Sequence, residues 1–375
     1  MTRPRRRLVA RLDNEGDVLL AGPAVRAVAA SDGHLTLLCG PRGAQAAALL
    51  PGVDDVLVHR AAWIDPEPEP VDPAAIDAFV AELRARRVDE AMVLTSFHQS
   101  ALPLALLLRL AGVGTVAAIS DDYPGSLLDV RHRVEGEPHE AERGLSVVGR
   151  LGHRLPPGDG GELRVRLDAA PPDEPVVPGP YVVVHPGASV PARAWEPARN
   201  RELVAALAAR GHRVVVTGAP AETGLTARVA GADALDLGGR TSFAGLGRVL
   251  AGARAVVVGN TGPAHLAAAV GTPVVSLFAP TVPTAWWRPW AVPHELLYVD
   301  VPCAGCRART CPVPGHPCLS GVRVADVVAA VERLAGQPRS TSNHTRVEKP
   351  SRPGTPSAPR STPQRAASRS TIPSP

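Results

Sequence analysis

Short apolar runs alternate with helix-periodic runs along most of the chain. In the first half, Arg7–Leu12, Leu35–Cys39, Val56–His59, Glu90–Thr95 and Val116–Ile119 read as strands. Val18–Ala30, Pro73–Arg87 and Ala101–Leu110 read as the helices between them. The strand runs are nearly continuous in apolar residues, as in strands covered on both faces. A parallel sheet with helices on both sides follows from this β-α rhythm. Asp121–Gly136 is polar and irregular and reads as a loop, and Glu137–Gly152 as a helix.

The stretch 155–180 is rich in Pro and Gly, which suits a linker carrying at most a short strand at Leu163–Leu167. After it the pattern restarts. Tyr181–His185, Arg213–Thr217, Leu235–Leu237 and Ala255–Val258 read as strands, and Arg199–Arg210, Ser242–Gly252 and Val322–Leu334 as helices. The expected organisation is an α/β chain with domains at 1–154 and 181–337, the linker between them and a tail from 338.

Composition sharpens this in three ways. Hydrophobic residues make up 45% of the chain but aromatic ones only 3%, so the cores are built from Val, Leu and Ala. One lysine stands against 39 arginines, a usage that reflects a GC-rich genome and not chemistry. The formal charge of +4 is carried by the tail, where residues 338–375 have a net +6, leaving about −2 for the rest. A folded part with that balance is not basic, so nucleic-acid binding by it loses its main support. Ser, Thr and Pro supply 21 of the 38 tail residues, a composition expected to be disordered, with weak attraction to an acidic membrane surface as the alternative role. No run of 18 uncharged apolar residues is found, and the basic start is not followed by a signal-peptide core, so a cytoplasmic protein is expected, at most working at the inner face of the membrane.

Two long segments carry the chemistry. Val256–Pro280 reads VVVGNTGPAHLAAAVGTPVVSLFAP: a strand, a tight turn, an Ala-rich helix and a second strand. Gly262 allows close backbone approach, Pro263 suits the first turn of a helix, and the helix N-terminus favours an anion. Near the other end, Arg11–Val28 reads RLDNEGDVLLAGPAVRAV. Together they resemble the two signature blocks of the family 9 glycosyltransferases, which include the ADP-heptose:lipopolysaccharide heptosyltransferases. The resemblance runs over roughly residues 5 to 335 and takes in His139, Glu142 and Arg143 of an H-x-x-E-R segment.

The resemblance implies a GT-B architecture, two Rossmann-like domains facing across a cleft. It also implies an inverting, metal-independent transfer of a sugar from a nucleotide diphosphate donor to a glycan or lipid-linked acceptor. Asp17 takes the place of the catalytic base, a carboxylate at a strand-to-helix junction able to accept a hydroxyl proton. Asp13, Asn14 and Gly16 lie beside it on the acceptor side. Arg193, two positions before Trp195, stands where the family meets the donor diphosphate, and arginine can grip phosphate in a bidentate way. Gly218, Thr241, Asn260, Thr261, Gly262, Pro263 and His265 complete the implied donor site. Asn260 departs from the family's usual Asp, keeping hydrogen-bonding capacity without charge. Trp195 reads as packing.

Cys303, Cys306, Cys311, His316 and Cys318 lie within 16 residues of one another. A structural zinc site, reduced thiols and disulfides all remain open for them, the last disfavoured in a cytoplasm. No cofactor is required by the implied reaction. A sugar-nucleotide 2-epimerase of the same architecture and a sugar-nucleotide-binding protein without turnover are the alternative functions.

Overall fold

The computed structural model describes residues 3–168 and 174–336. The tail from 338, and the part of the expected linker at 169–173, lie outside the described residues.

The first half runs β1 (Arg6–Arg11), α1 (Glu15–Leu20), α2 (Gly22–Ala29), β2 (His34–Cys39), α3 (Ala44–Leu49), β3 (Asp55–Val58), α4 (Pro73–Arg86) and β4 (Glu90–Val93). It continues through α5 (Leu102–Leu110), β5 (Thr115–Ile119), β6 (Val130–His132) and α6 (Glu140–Gly149). The second half runs β7 (Val182–His185), α7 (Pro197–Ala209), β8 (Val214–Val216), α8 (Thr223–Ala230), β9 (Ala234–Asp236), α9 (Phe243–Gly252) and β10 (Ala255–Gly259). It ends with α10 (Gly262–Ala269), β11 (Val274–Leu277), α11 (Thr284–Trp287), β12 (His294–Leu297), α12 (Pro317–Ser320) and α13 (Val324–Ala335).

Two parallel sheets result, ordered β3-β2-β1-β4-β5-β6 and β12-β11-β10-β7-β8-β9. In each, strand order reverses beside a central strand, β1 in the first sheet and β7 in the second, and open α/β sheets place ligands at the carboxyl ends of such strands. The helices are set by local chemistry. Asp72 caps α4, accepting from the Ala74 N–H at 3.0 Å, and Pro73 occupies its first turn. His139 and Glu142 form a reciprocal capping box at the start of α6. α13 buries Val324, Val327, Val328, Val331 and Leu334, a single stripe at helical spacing.

One buried cluster joins the two halves. It runs from Val9 and Leu37 of the first sheet through Leu19 and Ala46 to Leu246, Leu266 and Val256 of the second half. α1 and α3 therefore pack on α10 and α9. Approach is close at Gly16, where a Cβ would stand 3.0 Å from His265 Cδ2 and 3.1 Å from Gly262 Cα.

Several expectations are corrected. The helix expected over Val18–Ala30 starts earlier and breaks at Ala21, because α2 opens afresh on Gly22-Pro23 and Pro has no amide to continue α1. β6 lies within the stretch expected to be a loop, and β12 follows the long motif; both are short, half-buried edge strands with polar residues, so neither shows an apolar run. Leu163–Leu167 is not a strand. It is held instead by Arg166, whose N–H donates to Leu49 O at 2.8 Å, and by burial of Leu163.

Candidate functional site

β1 ends in Arg11, whose buried guanidinium gathers three carboxylates. Its Nη2 lies 3.0 Å from Asp17 Oδ1 and its Nη1 3.1 Å from Glu140 Oε2. Its Nε is 2.7 Å from Asp13 Oδ2, an ion pair without hydrogen-bond alignment. Nη2 also donates to Ser96 Oγ at 2.8 Å, and that hydroxyl donates on to Asp13 Oδ2 at 3.3 Å. The Gln99 side-chain amide closes the ring by donating to Asp13.

Burial alone would lower the Arg11 pKa, but the fields of Asp13, Asp17 and Glu140 outweigh it and raise it, so the cation is permanent. Burial pushes the Asp13 and Glu140 carboxyls upward against the pull of Arg11. Exposure separates the roles. The Asp17 side chain is 19% exposed, Asp13 8% and Glu140 1%, so Asp17 is the carboxylate a ligand can reach. Asn14, exposed, precedes α1 and receives Val18 N–H on its backbone carbonyl at 3.0 Å.

Across from Asp17 stands the turn that follows β10. Gly259 must be glycine, since a Cβ there would stand 2.8 Å from the Arg193 carbonyl. Asn260 Nδ2 donates to Ala279 O at 3.3 Å, which leaves its buried Oδ1 without a protein partner. The Thr261 amide donates to Gly259 O at 2.9 Å, so Thr261 offers its unpartnered Oγ1 and the backbone donor falls to Gly262. Pro263 fills the first turn of α10. His265 is buried with its Nδ1 unpartnered, and burial pushes its pKa down to about 4, so the ring is neutral.

Arg193 sits in a short turn, its Nη1 donating to Asn260 O at 3.4 Å and its Nε buried without a partner. Burial holds it below the usual arginine range, with Asp17 opposing and Arg309 adding to the effect. Buried polar atoms are normally paired, and here unpartnered ones of Asn260, Thr261 and His265 lie at the N-terminus of α10, with that of Arg193 beside them on the neighbouring turn. Such a set suits an anionic, hydroxyl-bearing ligand.

Other expected residues have different surroundings. At Gly218 a Cβ would stand 2.6 Å from Thr226 Cγ2 and 3.2 Å from Glu222 Oε2, so the glycine makes room for packing. Thr241 lies one residue before the cap of α9, where Glu174 accepts from the Ser242 N–H at 2.6 Å. Trp195 is buried and donates to Leu319 O at 3.1 Å, a packing residue. Among the described residues no group of three or more His, Cys, Asp or Glu could hold a metal ion, so the zinc site is not formed. His316 Nε2 faces Ala192 O at 3.0 Å, Cys311 donates to Val313 O, and all five cysteines are free thiols.

Arg11, Glu140, Ser96 and Gln99 were not singled out as site residues by the sequence. An arginine closing an apolar strand, followed by Asp at two and six positions, was the available signal. Glu140 had none, since it is one of two acidic residues in the first turn of a helix.

The model of glycosyltransferase family 9 (heptosyltransferase) matches residues 76–316. Lipopolysaccharide heptosyltransferase 1 of Pseudomonas aeruginosa is 34% identical over 238 residues, 61% of this chain and 65% of that protein. Lipopolysaccharide heptosyltransferase 3 of Escherichia coli is 32% identical over 209 residues, 52% of this chain and 57% of that protein. The chain thus aligns with rather less than two thirds of the length of these relatives. Among solved structures, a family 9 glycosyl transferase from Veillonella parvula superposes with a TM-score of 0.71 at 16% identity, covering 89% of this chain and 98% of that one. An E. coli heptosyltransferase solved with ADP gives 0.65 at 24% identity, covering 88% and 99%. The two facing parallel sheets are thus a GT-B fold, and with its family model matched over well over half of its length the chain belongs to glycosyltransferase family 9.

Proposed function

We propose that this chain is an inverting, metal-independent glycosyltransferase that moves a sugar, heptose from ADP-heptose, onto a hydroxyl of a lipopolysaccharide-core-like or other envelope glycan. The donor domain is 181–337 and the acceptor domain 1–154, joined by 155–180. The observation that carries this reading is the group of unpartnered polar atoms on Arg193, Asn260, Thr261 and His265, set opposite the accessible carboxylate of Asp17. Support for the donor comes from relatives of this fold solved with ADP and with ADP-2-deoxy-2-fluoro heptose.

In this mechanism Asp17 accepts the proton of the acceptor hydroxyl as it attacks the anomeric carbon. Arg11 holds the carboxylate in place. Negative charge building on the departing diphosphate is met by Arg193, the Gly262 amide and the dipole of α10, all preorganised. Asn260 Oδ1 accepts from a hydroxyl of the donor, and neutral His265 supplies a hydrogen-bonding edge without adding charge. No described helix is long and apolar enough to cross a membrane, and work at the cytoplasmic face is part of this proposal.

Incubation with ADP-heptose and a heptose-accepting core glycan should release ADP in step with a product heavier by one heptose. Release of an epimerised nucleotide sugar, or tight ADP-heptose binding with no turnover on any core acceptor, would overturn the assignment.

A further inference from the structure

The turn that presents Arg193 is gripped from outside by the Cys-rich segment. The Ala192 N–H donates to Arg309 O at 3.0 Å, and the Ala192 carbonyl lies 3.0 Å from His316 Nε2. Both polar backbone groups of the residue before Arg193 are therefore taken by residues 309 and 316. Because a carbonyl only accepts, the His316 ring must carry its proton on Nε2. Two more bonds extend the grip: Trp195 Nε1 to Leu319 O at 3.1 Å and Arg199 Nη1 to Val322 O at 3.3 Å. On the other side, Gly259 brings β10 against the Arg193 carbonyl.

His316 is itself in an unusual state. Its backbone is left-handed, φ 48° and ψ 55°, a conformation that disfavours residues with a Cβ. Its carbonyl accepts from Leu319 and Ser320 N–H at 3.2 and 3.0 Å, which ties it to α12. α12 in turn buries Cys318 and Leu319 in the core of the second sheet. The imidazole is thus a stiff arm from a core-anchored helix to the Ala192 carbonyl. Strain of this kind persists where surrounding structure enforces it.

We propose that His316 is a positioning residue for Arg193, and that residues 303–320 form a strap that tunes binding of a nucleoside diphosphate through that arginine. This rests on Arg193 contacting the donor diphosphate. His316 touches no reacting atom in this scheme; it acts only by holding the peptide that carries Arg193.

The test is a double-mutant cycle read by isothermal titration with ADP, and with adenosine as the phosphate-free control, beside steady-state rates with ADP-heptose. His316→Gly relieves the backbone while removing the arm, and His316→Gln restores an N–H donor of similar reach. ADP affinity should fall about two- to tenfold in His316→Gly, the worth of roughly one hydrogen bond. Adenosine affinity should hold, the donor KM should rise more than kcat falls, and His316→Gln should recover most of the loss. In an Arg193→Ala background His316→Gly should add nothing, since the two act through one contact. Should His316→Gly melt too low to assay, His316→Asn, which tolerates a left-handed backbone but is too short to reach Ala192, takes its place. The strap is wrong if Arg193→Ala weakens ADP but loss of the arm does not, or if that loss is equal in both backgrounds or equal for adenosine. If Arg193→Ala leaves ADP affinity intact, the donor-site reading fails first and the strap falls with it.

Discussion

Arg11 Nη2 lies 3.0 Å from Asp17 Oδ1, and the same nitrogen donates to Ser96 Oγ at 2.8 Å. The proposed base is therefore locked to a cation that Asp13 and Glu140 also share. Asp17→Asn keeps the shape and removes the base, so kcat should fall roughly 10²–10⁴-fold with ADP affinity little changed. Near-normal turnover would transfer the role to another carboxylate.

Arg11→Met should act on stability. It leaves Asp13 buried without its cation and Glu140 with only the more distant Arg143 at 3.8 Å, and breaking a buried pair in this way costs about 3–5 kcal/mol. A urea midpoint close to that of the unaltered protein would show that the carboxylates are neutralised some other way.

Asn260 is the position where this chain leaves its family's usual Asp, and restoring the acid should harm it. Asn260 Nδ2 donates to Ala279 O, and a carboxylate would set two acceptors face to face in a buried site. Asn260→Asp should lose about 1–3 kcal/mol, the cost of stranding a buried group, and weaken ADP binding. Calorimetric melting and ADP titration read both effects, and a gain in either would contradict this account.

Glu15 sets a pH dependence. Burial pushes its carboxyl up to about 7 from 4.5, against the wall formed with Gly262. The folded chain then binds this proton more tightly than the unfolded one, so the stability it confers is full below about 4.5 and is lost as pH rises through about 7. Glu15→Gln should flatten the fall in melting temperature between pH 5 and 8 and raise it at the alkaline end. An unchanged slope in the variant would mean that other groups set it.

Transfer should persist in excess EDTA, because Arg193 and the α10 N-terminus supply the positive charge that a divalent ion would otherwise bring to the diphosphate. Loss of turnover that Mg²⁺ restores would replace this mechanism with a metal-assisted one.

Much of this protein is legible from local pattern. Continuous Val-rich runs such as Val256–Val258 mark strands buried on both faces, and Gly262-Pro263 marks a helix start, because such preferences depend on a few neighbouring residues. The junctions carrying Asp17 and Asn260 could be placed from that alone, with their expected chemistry coming from the motif resemblance. Partners distant along the chain could not. Glu140 meets Arg11 across 129 positions, and His316 meets Ala192 across 124, in a segment whose Cys and His spacing suggested a metal. Periodicity says which face of a helix is buried, but not which helix it meets. Strand order and the contact of α1 with α10 decide that, and with it which charges share one guanidinium and which polar atoms are left for a ligand.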